Sequence, residues 1–387
     1  MKSLRQKYSK GTQSIFLPHE VITQIFSFLP VKHLMQLKCV CKSWKTLISD
    51  DSTLVKLHLK KFTTKRVALF SFRHKDHHKL CLARFPLHEN TSATRLTIDK
   101  EPELKLTDVF GQFLYPVGCC NGLLCLVGYI LINNRAEIWL YLCNPATNTF
   151  SNKIVFLSMP HDRRSSSSFQ HGWKFAFGYD NSTDTYKIAA FHIWNNNVRV
   201  FNFGDNVWRN IQSFSIVPVD RCGFPSDYPE DGPHPGINNR VYVSGTLNCE
   251  TYLQLLPPWD FDELPCLQPT LFVLMNCLCL SFSHGSNGTD FIIWQMKDFG
   301  VQESWIQFLK ISYKNIRSLM SYNRQSFLFP VCLSENGDTL ILAWGTSNKE
   351  AILYSLRDNS VKKSRKFTNE IRWYLAKDYV ESLVSTG

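Results

Sequence analysis

The residue types best suited to chemistry stand together in the run Arg73-His74-Lys-Asp76-His77-His78-Lys-Leu-Cys81, where three His, an Asp and a Cys fall within nine residues. These are ligand types that zinc prefers, and a zinc site needs them to converge in tetrahedral geometry. The Arg and the two Lys of the same run add positive charge that opposes a bound cation. Apolar runs at 67–72 and 80–85 flank the polar residues, so the pattern favours a solvated hairpin turn over a metal site.

Other catalytic signatures do not support an enzyme. The sequence contains no P-loop, no G-x-G-x-x-G and no G-x-S-x-G motif. His19-Glu20-Val-Ile-Thr23 begins like H-E-x-x-H but has Thr where the second zinc ligand must stand. The pairs Cys119-Cys120, Cys39-x-Cys41 and Cys277-x-Cys279 lack the C-x-x-C spacing of zinc ribbons. We therefore expect a non-catalytic protein with no metal and no cofactor.

The bulk composition fits a globular protein that stays inside the cell. The chain has 387 residues, 44% of them hydrophobic and 19% charged, which is ordinary for a folded domain. Its first residues, MKSLRQKYSKGTQS, lack the apolar segment of a secretory signal, so the 13 Cys are expected to be reduced thiols. The apolar run 271–282 is shorter than the ~20 residues of a spanning helix and predicts a core strand or strand pair. We expect no membrane contact and a cytoplasmic and/or nuclear location.

The positive charge is concentrated at one end of the chain. Residues 1–66 contain 13 Lys and Arg against 3 Asp and Glu, whereas the remaining residues contain 30 against 29. A local excess of this kind indicates an acidic partner for that segment, either a protein surface or a nucleic acid. A solvated face of a helix would also account for part of it.

Three short helical patterns lie inside this basic segment, within about thirty residues. Apolar residues recur at helical spacing from Val21 to Leu29, and Pro30 ends the pattern. A second pattern runs from Val31 to Leu37, and a third starts at Val40. A segment at 52–61 predicts a further, trailing helix. A unit this small cannot bury all of these apolar groups, so some are expected to lie on a partner or on the next domain.

The amino-acid sequence of these helices resembles the F-box, and most of all the plant type of F-box. The resemblance rests on Leu17-Pro18-x-Glu20-Val21-Ile22-x-x-Ile25-Phe26-x-x-Leu29-Pro30-Val31-x-x-Leu34 and Cys39-Val40-Cys41-Lys42-Ser43-Trp44-x-x-Leu47-Ile48. It implies docking onto the acidic Skp adaptor of an SCF ubiquitin ligase and, through the adaptor, contact with cullin and RING subunits. The adaptor-binding residues that it implies are Leu17, Pro18, Val21, Ile22, Ile25, Leu29, Pro30, Val31, Leu34, Leu37, Val40, Cys41, Trp44, Leu47 and Ile48.

After residue 66 the pattern changes to short strands separated by polar turns. A strand, a turn and a second strand recur at 138–150, 198–208, 292–305 and 351–361, and three of these are preceded by another strand pair. Each unit then holds about four strands, which is the content of a propeller blade. The wide gap between the second and third units leaves room for another unit between 240 and 269. Six or seven blades would suit the length, and a β-sandwich is the alternative.

These repeats resemble the plant F-box-associated interaction domain, which is kelch-like. The similarity rests on Gly118-Cys-Cys-Asn-Gly-Leu-Leu-Cys125, Asn144-Pro-Ala-Thr and Phe177-Gly-Tyr-Asp with Tyr186-Lys187. Ser244-Gly-Thr-Leu-Asn-Cys249 departs from the N-G-x-L-H-W of that family, which predicts a distorted or incomplete middle blade. The expected order is a flexible basic tail at 1–14, an F-box at 15–62, a β-propeller-like domain at 66–375, and a tail or short helix at 376–387.

Together these patterns predict a mainly β protein with a small all-α N-terminal module. The two resemblances imply that the module docks onto the adaptor and that the β domain binds a target for ubiquitination. The target is expected to be a protein, but no residues for binding it can be named. Two alternatives remain open at this point. One is a nucleic-acid-binding protein that uses the basic helices, although the Lys residues are spread over several helix faces. The other is a propeller enzyme with carboxylates clustered at the mouth of the ring.

Overall fold

The computed structural model describes residues 17–62, 66–74, 77–84, 97–98, 104–105, 114–132, 135–160, 173–192, 197–211, 240–243, 246–249, 270–275, 277–284, 289–299, 301–317, 328–334, 337–344, 351–363 and 371–387. The predicted tail at 1–14 and residues 250–269, which belong to the stretch where the sequence leaves room for another unit, lie outside these ranges.

Four helices form the N-terminal module: α1 (His19–Phe26), α2 (Val31–Leu37), α3 (Lys42–Asp50) and α4 (Ser52–Phe62). Pro18 and Pro30 stand one residue before α1 and α2, and their carbonyls accept the first backbone hydrogen bonds of each helix. Asp51 caps α4, because its carboxylate accepts from the backbone N–H of Thr53 (2.7 Å) and Leu54 (3.2 Å). The trailing helix predicted from the sequence is confirmed.

Within the described ranges, twenty-four strands form six antiparallel sheets, which we call blades 1 to 6. Blade 1 contains β1 (Arg66–His74), β2 (His77–Arg84), β3 (Thr97–Ile98), β4 (Leu104–Lys105) and β24 (Ile371–Val380). Blade 2 contains β5 (Leu114–Cys120), β6 (Leu123–Ile132), β7 (Arg135–Asn144), β8 (Thr149–Phe150) and β9 (Ile154–Pro160). Blade 3 contains β10 (Trp173–Asp180), β11 (Thr185–His192), β12 (Val198–Asn202) and β13 (Val207–Ile211).

Blades 4 to 6 are formed by the strands that follow along the chain. Blade 4 contains β14 (Arg240–Val243) and β15 (Thr246–Cys249). Blade 5 contains β16 (Thr270–Leu274), β17 (Cys277–His284), β18 (Asp290–Met296) and β19 (Trp305–Ser312), with a 3-10 turn at Gln302–Ser304. A short helix, α5 (Tyr313–Arg317), leads to blade 6, which contains β20 (Leu328–Leu333), β21 (Thr339–Trp344), β22 (Ile352–Ser355) and β23 (Ser360–Lys363).

One strand of each blade faces the centre, and these inner strands close a ring. Strand β5 contacts β10, and the chain of contacts continues through β14, β16, β20 and β24 back to β5. Strand β24 pairs with β1 in blade 1, with Arg66 opposite Val380, so the two ends of the domain share one sheet. This arrangement is propeller-like rather than a sandwich, because each sheet is hydrogen-bonded separately and the sheets follow one another around a centre.

The strand-turn-strand repeats predicted from the sequence are confirmed as the outer strands of blades 2, 3, 5 and 6. The apolar run 271–282 is the strand pair β16–β17. The predicted hairpin at 67–85 is present as β1 and β2, with His74 opposite His77. Positions 75 and 76 and the side chains of this hairpin lie outside the described part of the chain. Blade 4 has two strands among the described residues, at the place where the sequence predicts a distorted blade.

For residues 376–387 the sequence predicts either a tail or a short helix, and the structure has no helix there. Residues up to Val380 belong to β24, and 381–387 continue without helix or strand. We call residues 381–387 the strap. Among the described helices, none is both long enough and apolar enough to cross a membrane.

Candidate docking surface

The helical module has a small hydrophobic core of its own. Phe26, Val31, Leu34, Leu47, Ile48 and Leu54 are buried in it, together with Leu383 of the strap. The Trp44 ring packs edge-on against Phe26, with 5.1 Å between ring centroids. Trp44 is only half-buried, so it closes the rim of this core.

Other apolar side chains of the module remain on the surface. Along α1 and the turn after it, Val21, Ile25 and Phe28 are 41%, 46% and 65% exposed. Their spacing of four and three residues puts them on one side of the helix. Leu17, just before α1, is 50% exposed and Val40, between α2 and α3, is 61% exposed. We call Val21, Ile25 and Phe28 the α1 stripe.

The fifteen predicted adaptor-binding residues therefore fall into three groups. Leu17, Pro18, Val21, Ile25, Val40 and Cys41 are exposed. Ile22, Leu29, Pro30, Leu37 and Trp44 are half-buried, and Val31, Leu34, Leu47 and Ile48 are buried in the module's core. The last four can support a docking surface but cannot form one without unfolding the module. Val40 and Cys41 also precede α3 instead of lying in it, since Cys41 is the residue before its first turn.

Phe28 is absent from the predicted residues although it is the most exposed large apolar side chain of the module. Its position continues the spacing of Val21 and Ile25, and that spacing could have found it. The Lys61 ammonium lies 3.2 Å from the centre of its ring. The same Nζ donates to Ser27 Oγ at 2.5 Å. Helix α4 thus supports the turn that presents Phe28.

A second contact from α4 holds the junction between α1 and α2. The His58 side chain is fully buried, and its Nε2 lies 3.0 Å from the Leu29 carbonyl oxygen. Burial lowers the pKa of His58 below 6.5, while the bond to Leu29 and the charge of Glu381 act in the opposite direction. The neutral imidazole is therefore part of the folded module.

Basic side chains are also exposed on the helical module. Lys32, Lys42 and Lys45 are exposed on α2 and α3, and Lys38 is half-buried after α2. Long-range attraction from such residues speeds the encounter with an acidic partner more than it strengthens the final complex.

Burial keeps three of the described cysteines in the thiol form. Burial raises the pKa of Cys120 and of Cys279 to about 12, and it raises that of Cys125 well above the ordinary range. Thiols of this kind stay protonated and act as small apolar groups. Among the described residues, no cluster of three or more His, Cys, Asp or Glu could hold a metal ion.

Comparison with known proteins gives the helical module a family. Residues 15–60 match the family model "F-box-like". The F-box/kelch-repeat protein At3g23880 of Arabidopsis thaliana is 27% identical over 342 residues, covering 78% of this chain and 82% of that protein. The F-box protein At3g07870 of the same plant is 24% identical, covering 84% of this chain and 82% of that protein. The putative F-box protein At1g33530 is 24% identical over 75% of this chain and 61% of its own length.

Solved structures add little to this. TolB from Acinetobacter baumannii aligns over 81% of this chain and 56% of its own, at 11% identity and a TM-score of 0.29. The Penicillium chrysogenum alpha-L-arabinanase aligns over 77% of this chain and 85% of its own, at 12% identity and a TM-score of 0.29. Scores this low do not establish a shared fold.

Two observations relate the chain to these plant proteins: the family match of its N-terminal helices and the length over which it aligns with the relatives. The matched segment 15–60 spans α1 to α3 and most of α4, and the similarity to the relatives continues through the blades. The chain is similar over most of its length to plant F-box and F-box/kelch-repeat proteins, with an F-box-like module at 15–60 joined to a propeller-like β domain.

Proposed function

We propose that this chain is the substrate-recognition subunit of an SCF-type (Skp–cullin–F-box) E3 ubiquitin ligase. The F-box docks onto the Skp adaptor, which joins it to the cullin and RING subunits, and the propeller-like domain binds a target protein. The chain itself performs no chemistry. It acts by proximity, because holding the target beside the charged E2 raises the effective concentration of target lysines.

The observation that carries this proposal is the exposed α1 stripe inside a segment that matches the F-box. Isolated apolar residues on a surface are common, but a row of three at helical spacing marks a contact site. The stripe is supported from behind by α4 through Lys61 and His58, so it is presented on a packed helix. The basic residues around it suit an acidic partner.

Of the predicted residues, the exposed ones are the proposed anchors: Leu17, Pro18, Val21, Ile25, Val40 and Cys41, to which we add Phe28. The half-buried Trp44, Ile22 and Leu37 are proposed to complete the rim. The buried Val31, Leu34, Leu47 and Ile48 are proposed to act only by shaping the module.

The proposal is tested by two matched substitutions. Val21 on α1 is 41% exposed and Val207 on the outer strand of blade 3 is 45% exposed. We expect Val21→Asp to weaken binding to the purified Skp adaptor by about tenfold or more, because it places a charge in the contact area. Val207→Asp introduces the same charge at the same exposure on another domain and should bind like the wild type.

Calorimetric or fluorescence titration of the full chain measures both affinities. Equal adaptor binding by the two variants would remove the α1 stripe from the docking surface. Absence of binding by the wild type would count against the ligase role itself. In that case a titration with duplex and single-stranded nucleic acid at two salt concentrations tests the alternative role of the basic helices.

A further inference from the structure

The strap runs between the F-box and the propeller with a different face toward each. Leu383 is 7% exposed and belongs to the F-box core with Leu34 and Ile48. Val384, its neighbour, packs against the core between blades 2 and 3.

A single buried side chain of blade 2 holds the strap. The Asn144 amide nitrogen donates to the Ser382 carbonyl at 3.0 Å and to the Val384 carbonyl at 2.8 Å. Its Oδ1 accepts from the backbone N–H of Ala146 at 3.0 Å and of Thr147 at 3.4 Å. Asn144 is 0% exposed, and these contacts use both of its N–H donors and both oxygen lone pairs. One residue thus joins the end of β7 to the strap.

The turn between β5 and β6 is shaped to receive the strap. The Ser382 hydroxyl donates to the Asn121 carbonyl at 2.7 Å. Gly122 has a φ of +79°, and a Cβ built there would stand 2.3 Å from Ser382 Oγ and 2.5 Å from the Val380 carbonyl oxygen. The strap therefore lies directly on the backbone of this turn, where no larger residue fits.

Other described contacts also join the two domains. Ala146 packs against both the F-box core and a core of blade 2. Lys56 of α4 pairs with Asp184 of blade 3 at 3.6 Å, with both side chains about two-thirds exposed. An exposed pair of this kind is screened by solvent and holds little on its own.

We propose that the strap fixes the position of the F-box on the propeller, with Leu383 as the shared core residue and Asn144 as the positioning residue. Apolar packing on one side and fully satisfied buried hydrogen bonds on the other make it a rigid link. The consequence for the ligase rests on the proposed function: a target held by the propeller would then stand at a set distance from the adaptor.

The first test compares Leu383→Asp with Ser385→Asp by hydrogen–deuterium exchange of the full chain. Both place a carboxylate in the strap, but Leu383 is buried in the F-box core whereas Ser385 is exposed. We expect Leu383→Asp to speed amide exchange in α2, α3 and α4 by roughly tenfold or more. Ser385→Asp should leave it unchanged. Unaltered exchange in blade 5 shows that the propeller is still folded.

The second test acts from the propeller side. Asn144→Asp keeps the acceptor for Ala146 and Thr147 but loses both donors to the strap. We expect it to speed exchange in the F-box helices, although Asn144 is not part of the F-box. In the double variant with Leu383→Asp, it should add little further, because the link is already broken.

Exchange in the F-box that stays at the wild-type rate in Asn144→Asp would overturn the proposal. So would effects of the two substitutions that simply add. Neither exchange measurement uses the adaptor. If the wild type failed to bind the adaptor, the proposed function would be rejected, but the exchange results would still test the role of the strap. Loss of exchange protection in blade 5 would call for the milder pair Leu383→Ala and Ser385→Ala, read in the same way.

Discussion

The F-box and blade 2 treat their apolar residues in opposite ways. In blade 2, the five consecutive residues 123–127 of β6 are all buried, because blade 3 covers one face of the sheet and Tyr379 of blade 1 packs on the other. In the F-box, Val21, Ile25 and Phe28 are exposed although each would be at home in a core. A sheet between two neighbours needs no further partner. A small helical module covered on one side has an apolar face left over for a partner.

The largest effect that separates the two regions is expected from their Trp residues. Trp139 in blade 2 is 2% exposed and packs directly against Gly128, whereas Trp44 is half-buried. We expect Trp139→Ala to lower the local free energy of unfolding by about 4 kcal/mol and Trp44→Ala by about 2 kcal/mol. Amide exchange in β6 and in α3 measures the two. An equal loss at both sites would show that the F-box core is as closed as the blade.

A smaller effect is expected from pH. Burial lowers the pKa of His58 below 6.5, so the unfolded chain binds a proton more readily than the folded F-box does. The stability supplied by neutral His58 is present above pH 6.5 and is lost as the pH falls below it. Burial also lowers the pKa of His192 in blade 3. We expect His58→Gln to weaken the pH dependence of amide protection in α4. The pH dependence of amide protection in blade 3 should stay as in the wild type. If the substitution removed both, the stability of the two domains would depend on the protonation of the same residue, His58.

The smallest effect is expected at the exposed ion pair between the domains. Lys56 and Asp184 are about two-thirds exposed, so solvent and salt screen their attraction. Lys56→Ala should leave the melting temperature and the exchange of α4 unchanged within error. A clear loss of protection would mean that this pair, and not only the strap, holds the F-box in place.

Much of the fold was predictable because its signals are local. Helical spacing predicts α1 and α2, and the strand-turn-strand repeats predict the outer strands of four blades. The six blades and the closing strand were not predictable in the same way, since pairing of Arg66 with Val380 joins residues far apart in sequence. The position of the strap was not predictable for a similar reason, because no helical or alternating pattern around Leu383 indicates which core it enters.

The residues proposed for docking share an apolar pattern in the sequence, but the sequence does not say which of them lie on a surface. Leu34 and Ile25 both belong to the apolar pattern, yet one is buried and the other is 46% exposed. The difference depends on which side α4 and the strap cover, and helical spacing alone does not report that. Phe28 was missed although it lies inside the predicted pattern from Val21 to Leu29, because the F-box resemblance that selected the residues leaves position 28 unspecified.

The pairing of β24 with β1 also bears on how the protein is made. Ribosomes add roughly 5–20 residues per second, so β24 emerges on the order of 15–60 s after β1. During that interval blade 1 lacks its inner strand, and the edge of β1 is open to wrong partners. The F-box helices emerge even earlier, before the Leu383 that completes their core. A nascent chain of this protein is thus expected to depend on chaperones until its closing strand and strap have left the ribosome.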